Sequence, residues 1–389
     1  MSVTSRLRRI LLCPNAFKGS LTASDATRAM AEGVARAGPY ETICLPLADG
    51  GDGTLETLVE ATGGSLHAGV VRDPLGRPVR AAWGRLGGQQ SDTAVIEMAQ
   101  ASGLRLLRPE EFDPLHASTW GTGELMQQAL EAGCRRLLVG IGGSATNDGG
   151  AGMAQALGFR LLDTEGRELP PGGSALARLD RIEIDGSRIP AGLEVIVACD
   201  VDNPLCGPEG AAFVYGPQKG ATPAQVLELD AALSHYASVL RRTFSRSFAE
   251  EPGAGAAGGL GAGLMAFCGG RLQTGIEMAL EVTGFDALLA GCDLVLTGEG
   301  RIDGQTARGK VIAGVARRAR AAGVPVVALA GSVAEGAEEL LRPEGLTAAL
   351  SIVPGPLSVE EAMQEGYRLL GEAAERTMRL LAAGDAIRN

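Results

Sequence analysis

Charged side chains recur in five short loops that are otherwise rich in glycine and other small residues. Each loop follows an apolar stretch typical of a β-strand. Ligands of open α/β sheets bind beyond the carboxyl ends of the strands, so we expect the five loops to converge on one crevice. In chain order they are NAFKGS (15–20), ADGGDGT (48–54), GGSATNDGG (142–150), ACDVDNP (198–204) and TGEGRIDGQTARGK (297–310).

The third of these loops, GGSATNDGG, lies between an apolar strand-like segment and a helical pattern. Glycine lets the main chain approach another group closely, and the free N–H groups at the start of a helix bind anions. We therefore predict an anion-binding turn in which Ser144, Asn147 and Asp148 orient substrate or phosphate. The alternative is a tight turn with ordinary helix capping by these side chains.

The last loop contains GQTARGK, which fits the G-x-x-x-x-G-K spacing of a phosphate loop, but Val311 stands where that motif needs Ser or Thr. A standard phosphate loop is therefore excluded. Lys310 is still expected at a helix N-terminus beside free N–H groups, and Glu299 and Asp303 could supply oxygen ligands to a metal. Local salt bridges among Glu299, Arg301 and Asp303 are the alternative.

Three further charged residues stand where a strand pattern ends. Asp200 follows the strongly apolar segment LEVIVAC, where a charge is costly without a partner, so it is a candidate general base. Asp49 and Asp52 precede the helical pattern LETLVEA and are either ligand contacts or N-caps. Lys18 lies in a predicted turn, where it is either an anion-binding cation or a solvated side chain.

The composition of the 389 residues restricts the class of protein. The net charge of −11 and the 4% aromatic content argue against nucleic-acid binding. The sequence has no apolar run of about 18 residues and no signal peptide, so we expect neither a membrane span nor export. Seven scattered cysteines without a C-x-x-C pair are typical of a reducing cytoplasm. The predicted partners are small molecules, and no oligomeric state is indicated.

Strand and helix patterns alternate in the first 65 residues and in the last hundred, which predicts a parallel sheet covered on both faces. Between them, short alternating runs at 66–110 and 181–204 predict antiparallel strands. The fold class is therefore α/β: a doubly wound, Rossmann-like or flavodoxin-like domain of residues 1–65 and 291–389, with an inserted mixed α/β domain of residues 66–290. The active site is expected in the cleft between these domains.

Taken in order, the motifs of this chain resemble those of the bacterial glycerate kinase family from about residue 8 to residue 380. That resemblance implies a two-domain α/β enzyme that phosphorylates D-glycerate with ATP and magnesium. One departure is Asn15-Ala16, where many members carry Asp-Ser. The motifs are CPNAFKGSLTASDA, PLADGGDGT, DPLGRPV, GIGGSATNDGGAGM, ACDVDNPL, GPQKGA, PGAGAAGGLGAGLMAF and TGEGRIDGQTARGK.

Phosphoryl transfer needs an in-line geometry, cations on the developing charge and a base for the attacking hydroxyl. In that reaction we expect Asp200 as the base, Lys18 as a second catalytic group, and Glu299 and Asp303 on Mg²⁺. The predicted contacts with substrate or phosphate are Asp49, Ser144, Asn147, Asp148, Arg301 and Lys310.

The favoured product is 2-phosphoglycerate, and a kinase that forms 3-phosphoglycerate is the first alternative. A dinucleotide-dependent oxidoreductase is more distant, because no G-x-G-x-x-G follows the first strand. A two-lobed ligand-binding regulator without enzymatic activity is the third alternative.

Overall fold

The computed structural model describes residues 7–51, 53–304, 306, 310–335, 337 and 345–387. Asp52 and most of the helix expected around 334–342 lie outside these residues. The chain forms two compact units. The first unit combines Met1–Asp49 with Ile276–Asn389, and the second is Gly50–Gly275.

Strands and helices alternate along most of the chain. The strands, β1 to β13 in chain order, are Arg9–Leu12, Glu41–Cys44, Ser65–Arg72, Pro78–Arg85, Thr93–Glu97, Arg136–Gly140, Arg160–Leu162, Arg181–Glu183, Glu194–Ala198, Arg271–Gln273, Leu294–Ile302, Val326–Val333 and Ala348–Ser351. The α-helices, α1 to α13, are Ala23–Ala37, Thr54–Thr62, Ala99–Ser102, Trp120–Glu131, Ala151–Ala156, Ala211–Tyr215, Pro223–Phe244, Ala256–Cys268, Gly275–Val282, Phe285–Leu289, Val311–Ala321, Val359–Gln364 and Gly366–Ile387.

The first unit contains a parallel sheet in the order β13-β12-β11-β1-β2. Helices α1 and α13 pack together and share one core with Ile10 and Leu296. Successive side chains of a strand point to opposite faces, so Leu11 and Val295, which are also fully buried, lie on the other face. Helix α11 packs against β11 and β12. The prediction of a parallel sheet buried on both faces is confirmed.

The second unit contains a mixed sheet in the order β10-β9-β6-β5-β4-β3. The antiparallel pairs β3–β4 and β4–β5 were predicted, whereas β5, β6, β9 and β10 run parallel to one another. The expectation of an antiparallel strand within 181–204 is therefore wrong for β9. Every residue of Val195–Ala198 is buried, as is typical of a strand covered on both faces in a parallel sheet.

The unit boundaries differ from the predicted ones at both junctions. Helix α2 packs on β4 and β5, and a Cβ at Gly84 would lie 2.3 Å from Val59 and 2.7 Å from Leu55, so this helix belongs to the second unit. Ile276 lies against Gly314 of α11, so α9 continues into the first unit. Strand and helix patterns do not indicate which sheet a helix covers, which is why both boundaries were misplaced.

Among the residues that the structure describes, no helix is both long and apolar enough to cross a membrane.

Candidate functional site

Lys18 lies in a tight turn between β1 and α1. Phe17 and Leu21 exchange backbone hydrogen bonds around this turn, and Gly19 takes a φ of 79°. The Lys18 side chain is exposed. Its backbone nitrogen lies close to β11, since a Cβ at Gly300 would be 3.4 Å from it. Lys18 is therefore a solvent-facing cation beside the strand that carries Glu299 and Arg301.

Glu299 is a buried carboxyl group on β11, with a side chain that is 7% exposed. The hydroxyl of Thr306 donates a 2.7 Å hydrogen bond to its Oε1. Burial raises the pKa of Glu299. The hydrogen bond from Thr306 and the charge of Lys310 oppose that rise, whereas Asp49 and Asp303 add to it. These electrostatic interactions place the four charged residues in one neighbourhood of the first unit.

Lys310 is the N-cap residue of α11, and its own side chain makes no capping hydrogen bond to the first N–H groups of the helix. This is the position that the sequence predicted. Arg301 is an exposed side chain whose Nε lies 3.3 Å from Oδ2 of Asp303. The alternative of a local salt bridge thus holds for Arg301 and Asp303, but an exposed pair of this kind contributes little stability and leaves Arg301 able to contact a ligand.

The carboxylates of Asp49, Glu299 and Asp303 have the hard oxygen ligands that Mg²⁺ prefers. Within the described residues, however, no three His, Cys, Asp or Glu side chains are grouped closely enough to hold a metal ion. Magnesium often binds through one or two carboxylates together with substrate phosphates and water. The donor chemistry therefore fits a nucleotide-bound magnesium ion, and it does not form a protein cage for the metal alone.

The glycine-rich loop of the second unit changes from accessible to buried along its length. Gly142 and Gly143 are exposed and Ser144 is partly exposed, whereas Asn147 and Asp148 are fully buried. Ser144 alone of the three predicted contacts presents its side chain near the surface. Asn147 and Asp148 lie in the buried part of the loop, so their side chains are not accessible at the surface.

Asp148 joins the starts of two helices inside the second unit. Its Oδ2 accepts hydrogen bonds from the backbone and hydroxyl of Thr119, before α4, at 2.8 and 2.9 Å. It also accepts from Ser118 Oγ and from Gly152 N in α5, while Oδ1 accepts from Gly150 N. Burial raises the pKa of Asp148, and these hydrogen bonds oppose the rise. The carboxyl group is thus engaged in fixing the loop, which resembles the capping alternative.

A lysine that sequence reasoning did not single out supports the same loop. Lys219 is 1% exposed, and its Nζ donates a 2.6 Å hydrogen bond to the carbonyl oxygen of Thr146. Burial lowers its pKa to about 7, against the opposing effect of the Asp148 charge. Tyr236, also buried, donates to the carbonyl oxygen of Gly149. Lys219 occurs in the motif GPQKGA, but nothing in its spacing reveals that it is buried.

Asn147 has no hydrogen-bond partner for either side-chain amide atom among the described residues, and the Thr146 hydroxyl has none either. Buried polar atoms are nearly always paired, so each exception requires a reason. The neighbouring backbone is unusually close, since a Cβ at Gly258 would lie 1.9 Å from the carbonyl oxygen of Thr146. Ala257, Gly258 and Gly259 all take positive φ values there.

Asp200 lies two residues beyond the end of β9, and its side chain is exposed. The apolar strand before it predicts a carboxylate that faces either a buried partner or a crevice. The side chain is not buried, and Oδ1 accepts a 3.0 Å hydrogen bond from the backbone nitrogen of Gly275, the first residue of α9. The exposed position leaves the carboxylate accessible to a substrate, and the bond to Gly275 orients it.

The carboxyl ends of the parallel strands in the second unit also carry polar groups that sequence reasoning missed. Glu97 ends β5 and is 3% exposed, with one carboxyl oxygen that has no hydrogen-bond partner in the described part of the chain. Gln273 ends β10, and its Nε2 and the Thr274 hydroxyl are likewise buried and unpaired. Like Asp200, Glu97 in TAVIE is a charged residue at the end of an apolar strand pattern.

The structure thus divides the predicted residues between the two units. Asp49, Glu299, Asp303 and Lys310 interact in the first unit, with Lys18 and Arg301 beside the same strand. The second unit contributes Ser144, Asp200 and the buried pair Asn147 and Asp148. The prediction of one site in a cleft between two domains stays a prediction.

Parallel strands with charged, glycine-rich loops after their carboxyl ends define an α/β protein of the class that binds small ligands at these ends. The comparisons specify the class further. The model of the glycerate kinase family matches residues 10–382. The chain therefore belongs to the glycerate kinase family, and the resemblance inferred from its motifs is confirmed.

Individual relatives agree with this assignment. The chain is 48% identical to a glycerate kinase of Halalkalibacterium halodurans over 372 residues, covering 95% of this chain and 97% of the relative. It is 44% identical to glycerate 2-kinase of Escherichia coli K12, covering 97% and 98%. A crystal structure of a protein proposed to be glycerate kinase 2 from Salmonella typhimurium LT2 is 43% identical, with a TM-score of 0.89 and coverage of 98% and 100%.

Proposed function

We propose that this protein transfers the γ-phosphate of ATP to the 2-hydroxyl of D-glycerate, giving 2-phosphoglycerate and ADP. The observation that carries the proposal is the family match over residues 10–382. The relative from Escherichia coli named glycerate 2-kinase supports the position of transfer. Formation of 3-phosphoglycerate is the alternative, because a displacement of the substrate by one carbon atom would exchange the two hydroxyls.

The charged group of the first unit suits the nucleotide phosphates. Lys310 and the N–H groups at the start of α11 provide positive charge for a phosphate. Glu299 and Asp303 would hold a magnesium ion together with the phosphate oxygens, and that ion would neutralise charge on the transferred group. Lys18 and Arg301 are both exposed, and either could contact the phosphate or the substrate carboxylate, since the exposed ion pair of Arg301 with Asp303 is weak.

In the second unit, Asp200 is the best candidate for the base that accepts the proton of the reacting hydroxyl. Its carboxylate is accessible and is oriented by the N–H of Gly275. Ser144 and the exposed glycines before it offer a hydroxyl and main-chain N–H groups for an anion. Asn147 and Asp148 lie in the buried part of this loop and fix its conformation, so we assign them positioning roles.

The test combines ADP release with identification of the product. Purified protein is incubated with ATP, MgCl₂ and D-glycerate, and ADP is measured by a coupled assay while phosphorus NMR identifies the phosphate ester. We expect ADP release to require both glycerate and the divalent cation, with 2-phosphoglycerate as the product. Undiminished turnover in excess chelator would contradict the magnesium assignment, and a 3-phosphoglycerate signal would contradict the position of transfer.

The same preparation distinguishes the other classes of protein. An oxidoreductase would change nicotinamide absorbance with glycerate in the absence of ATP. A regulator without enzymatic activity would bind ligands but release no ADP with any small hydroxy acid. Either result would refute the kinase proposal.

A further inference from the structure

Glu97 is a buried carboxyl group with one unused oxygen. Its Oε1 accepts a 2.9 Å hydrogen bond from the backbone nitrogen of Leu55, in the first turn of α2. Its Oε2 is buried and has no hydrogen-bond partner among the described residues. Burying a polar oxygen without a partner is costly, so the fold tolerates it only for a compensating reason.

The position of Glu97 suggests that reason. Glu97 is paired in register with Gly140, and Gly140 with Ala198, so all three stand at the carboxyl ends of neighbouring parallel strands. This is the edge at which α/β sheets bind ligands. The loop before α2 also approaches it closely, because a Cβ at Gly140 would lie only 2.9 Å from the carbonyl oxygen of Gly50.

The hydrogen bond from Leu55 fixes one carboxyl oxygen and thereby sets the direction of the other. Burial raises the pKa of Glu97. The Leu55 N–H, an interaction with the side chain of Gln100 and the charge of Arg105 oppose the rise, and the charge of Glu56 adds to it. The Gln100 side chain nevertheless does not meet hydrogen-bond geometry at Oε2. A carboxyl group in this environment can accept a hydrogen bond through Oε2 and, when protonated, donate one. A hydroxyl group matches both possibilities, because it donates one hydrogen bond and accepts others.

The strand order bears on which hydroxyl is involved. Two strand spacings separate β5 from β9, so the backbones of Glu97 and Ala198 are about 10 Å apart. Asp200, two residues beyond Ala198, is assigned to the reacting hydroxyl, which leaves the other hydroxyl of a three-carbon acid for Glu97. We propose that Oε2 of Glu97 binds the hydroxyl of the hydroxy-acid substrate that is not phosphorylated. This inference rests on the proposed function.

The test compares Glu97→Gln with the wild-type protein and with Glu56→Gln. Glu56 is an exposed carboxylate in the first turn of α2, beside Leu55, so the Glu56→Gln variant controls for the loss of one negative charge. The glutamine Oε1 can still accept from Leu55, so the melting temperature is expected to stay unchanged. We expect the KM for D-glycerate to rise at least tenfold in Glu97→Gln, with the KM for ATP unchanged and with no effect in Glu56→Gln.

A second measurement does not depend on the fraction of folded enzyme. The ratio of kcat/KM for D-glycerate to kcat/KM for an analogue that keeps only the phosphorylated hydroxyl is determined for each protein. D-lactate is this analogue if the 2-hydroxyl reacts, and 3-hydroxypropionate if the 3-hydroxyl reacts. We expect the wild-type ratio to fall at least tenfold in Glu97→Gln, because the variant loses its contact with the second hydroxyl.

An unchanged ratio, or a rise in the KM for ATP in place of that for glycerate, would overturn the inference and indicate that Oε2 is satisfied by a structural water. Failure of the proposed function gives a different result, since the wild-type protein itself would then release no ADP with D-glycerate. That result would overturn this inference as well.

Discussion

Replacing Asp148 with asparagine tests whether this residue binds a ligand, as its loop position predicted, or fixes the loop, as its contacts indicate. Asparagine has nearly the same shape and keeps one oxygen acceptor. If that oxygen takes the place of Oδ2, the amide nitrogen faces the backbone N–H of Gly150, which now donates to Oδ1. The amide N–H of the asparagine and the backbone N–H of Gly150 are then two hydrogen-bond donors that face each other in a fully buried position.

The magnitude follows from these hydrogen bonds. A buried donor that loses its acceptor costs about 1–3 kcal/mol. The four hydrogen bonds from Ser118, Thr119 and Gly152 to Oδ2 remain, but they lose the charge of the acceptor, which is worth about 1 kcal/mol for each bond. Removing a carboxylate that is costly to bury offsets part of this loss, so we expect the free energy of unfolding to fall by about 2–4 kcal/mol.

Tryptophan fluorescence during urea unfolding is the appropriate assay. The chain has two tryptophans, Trp83 and Trp120, and both lie in the second unit, so the signal reports the unit that contains Asp148. Asp185→Asn, at an exposed position of the same unit, is the control. A loss below about 1 kcal/mol together with a raised KM for glycerate or ATP would refute the structural role, because it would show that the carboxylate acts on a ligand.

Three further predictions concern other residues of the second unit. Asp200→Asn should lower kcat by about 10²–10⁴-fold without lowering the melting temperature, and near-normal kcat would exclude Asp200 as the base. Gly258→Ala should lower the free energy of unfolding by about 2–5 kcal/mol, because the residue has a positive φ and the new Cβ clashes with Thr146. The control is Gly192→Ala, which also has a positive φ but open space around the Cβ, and it should cost about 1–2 kcal/mol. Equal losses in the two variants would exclude the clash. The buried Lys219 has a pKa of about 7, against 10.5 in the unfolded chain, so between these pH values the unfolded state binds a proton that the folded state does not. The free energy of unfolding should therefore rise with pH in this range, and the rise should be absent in Lys219→Met. Parallel pH profiles of the two proteins would contradict this prediction.

Several site residues could be placed from local pattern alone. Lys310 was predicted at a helix N-terminus and is the N-cap of α11, because an N-cap depends on the residues beside it in the chain. Lys18 was predicted in a turn and lies in one, since Gly19 supplies the positive φ that the turn requires. Such features involve contacts between near neighbours in the sequence, so spacing and residue type reveal them.

Burial was not predictable in the same way. The apolar strand before Asp200 suggested that its carboxylate faces a buried partner or a crevice. The chain has already left the sheet at that residue and the side chain is exposed, so the carboxylate is not buried and the crevice stays a prediction. Glu97 has the same sequence context and is 3% exposed, because α2, which precedes it in the chain, packs on β5 and donates the Leu55 N–H to its carboxyl group. The helix that covers a strand end comes from a distant part of the chain.

The sequence by itself determined the α/β class, the glycine-rich loops after the strands and, through the order of its motifs, the family. These properties follow from hydrophobic periodicity and from residue types at short spacing. Only the tertiary structure decided that α2 packs on the second sheet, that Lys219 lies buried beneath Thr146, and that Asp148 is held by donors from Ser118, Thr119, Gly150 and Gly152. Those contacts join segments up to 73 residues apart. They are stabilised by apolar burial and by hydrogen bonds that are stronger in the low dielectric of the interior, which no local pattern of residues records.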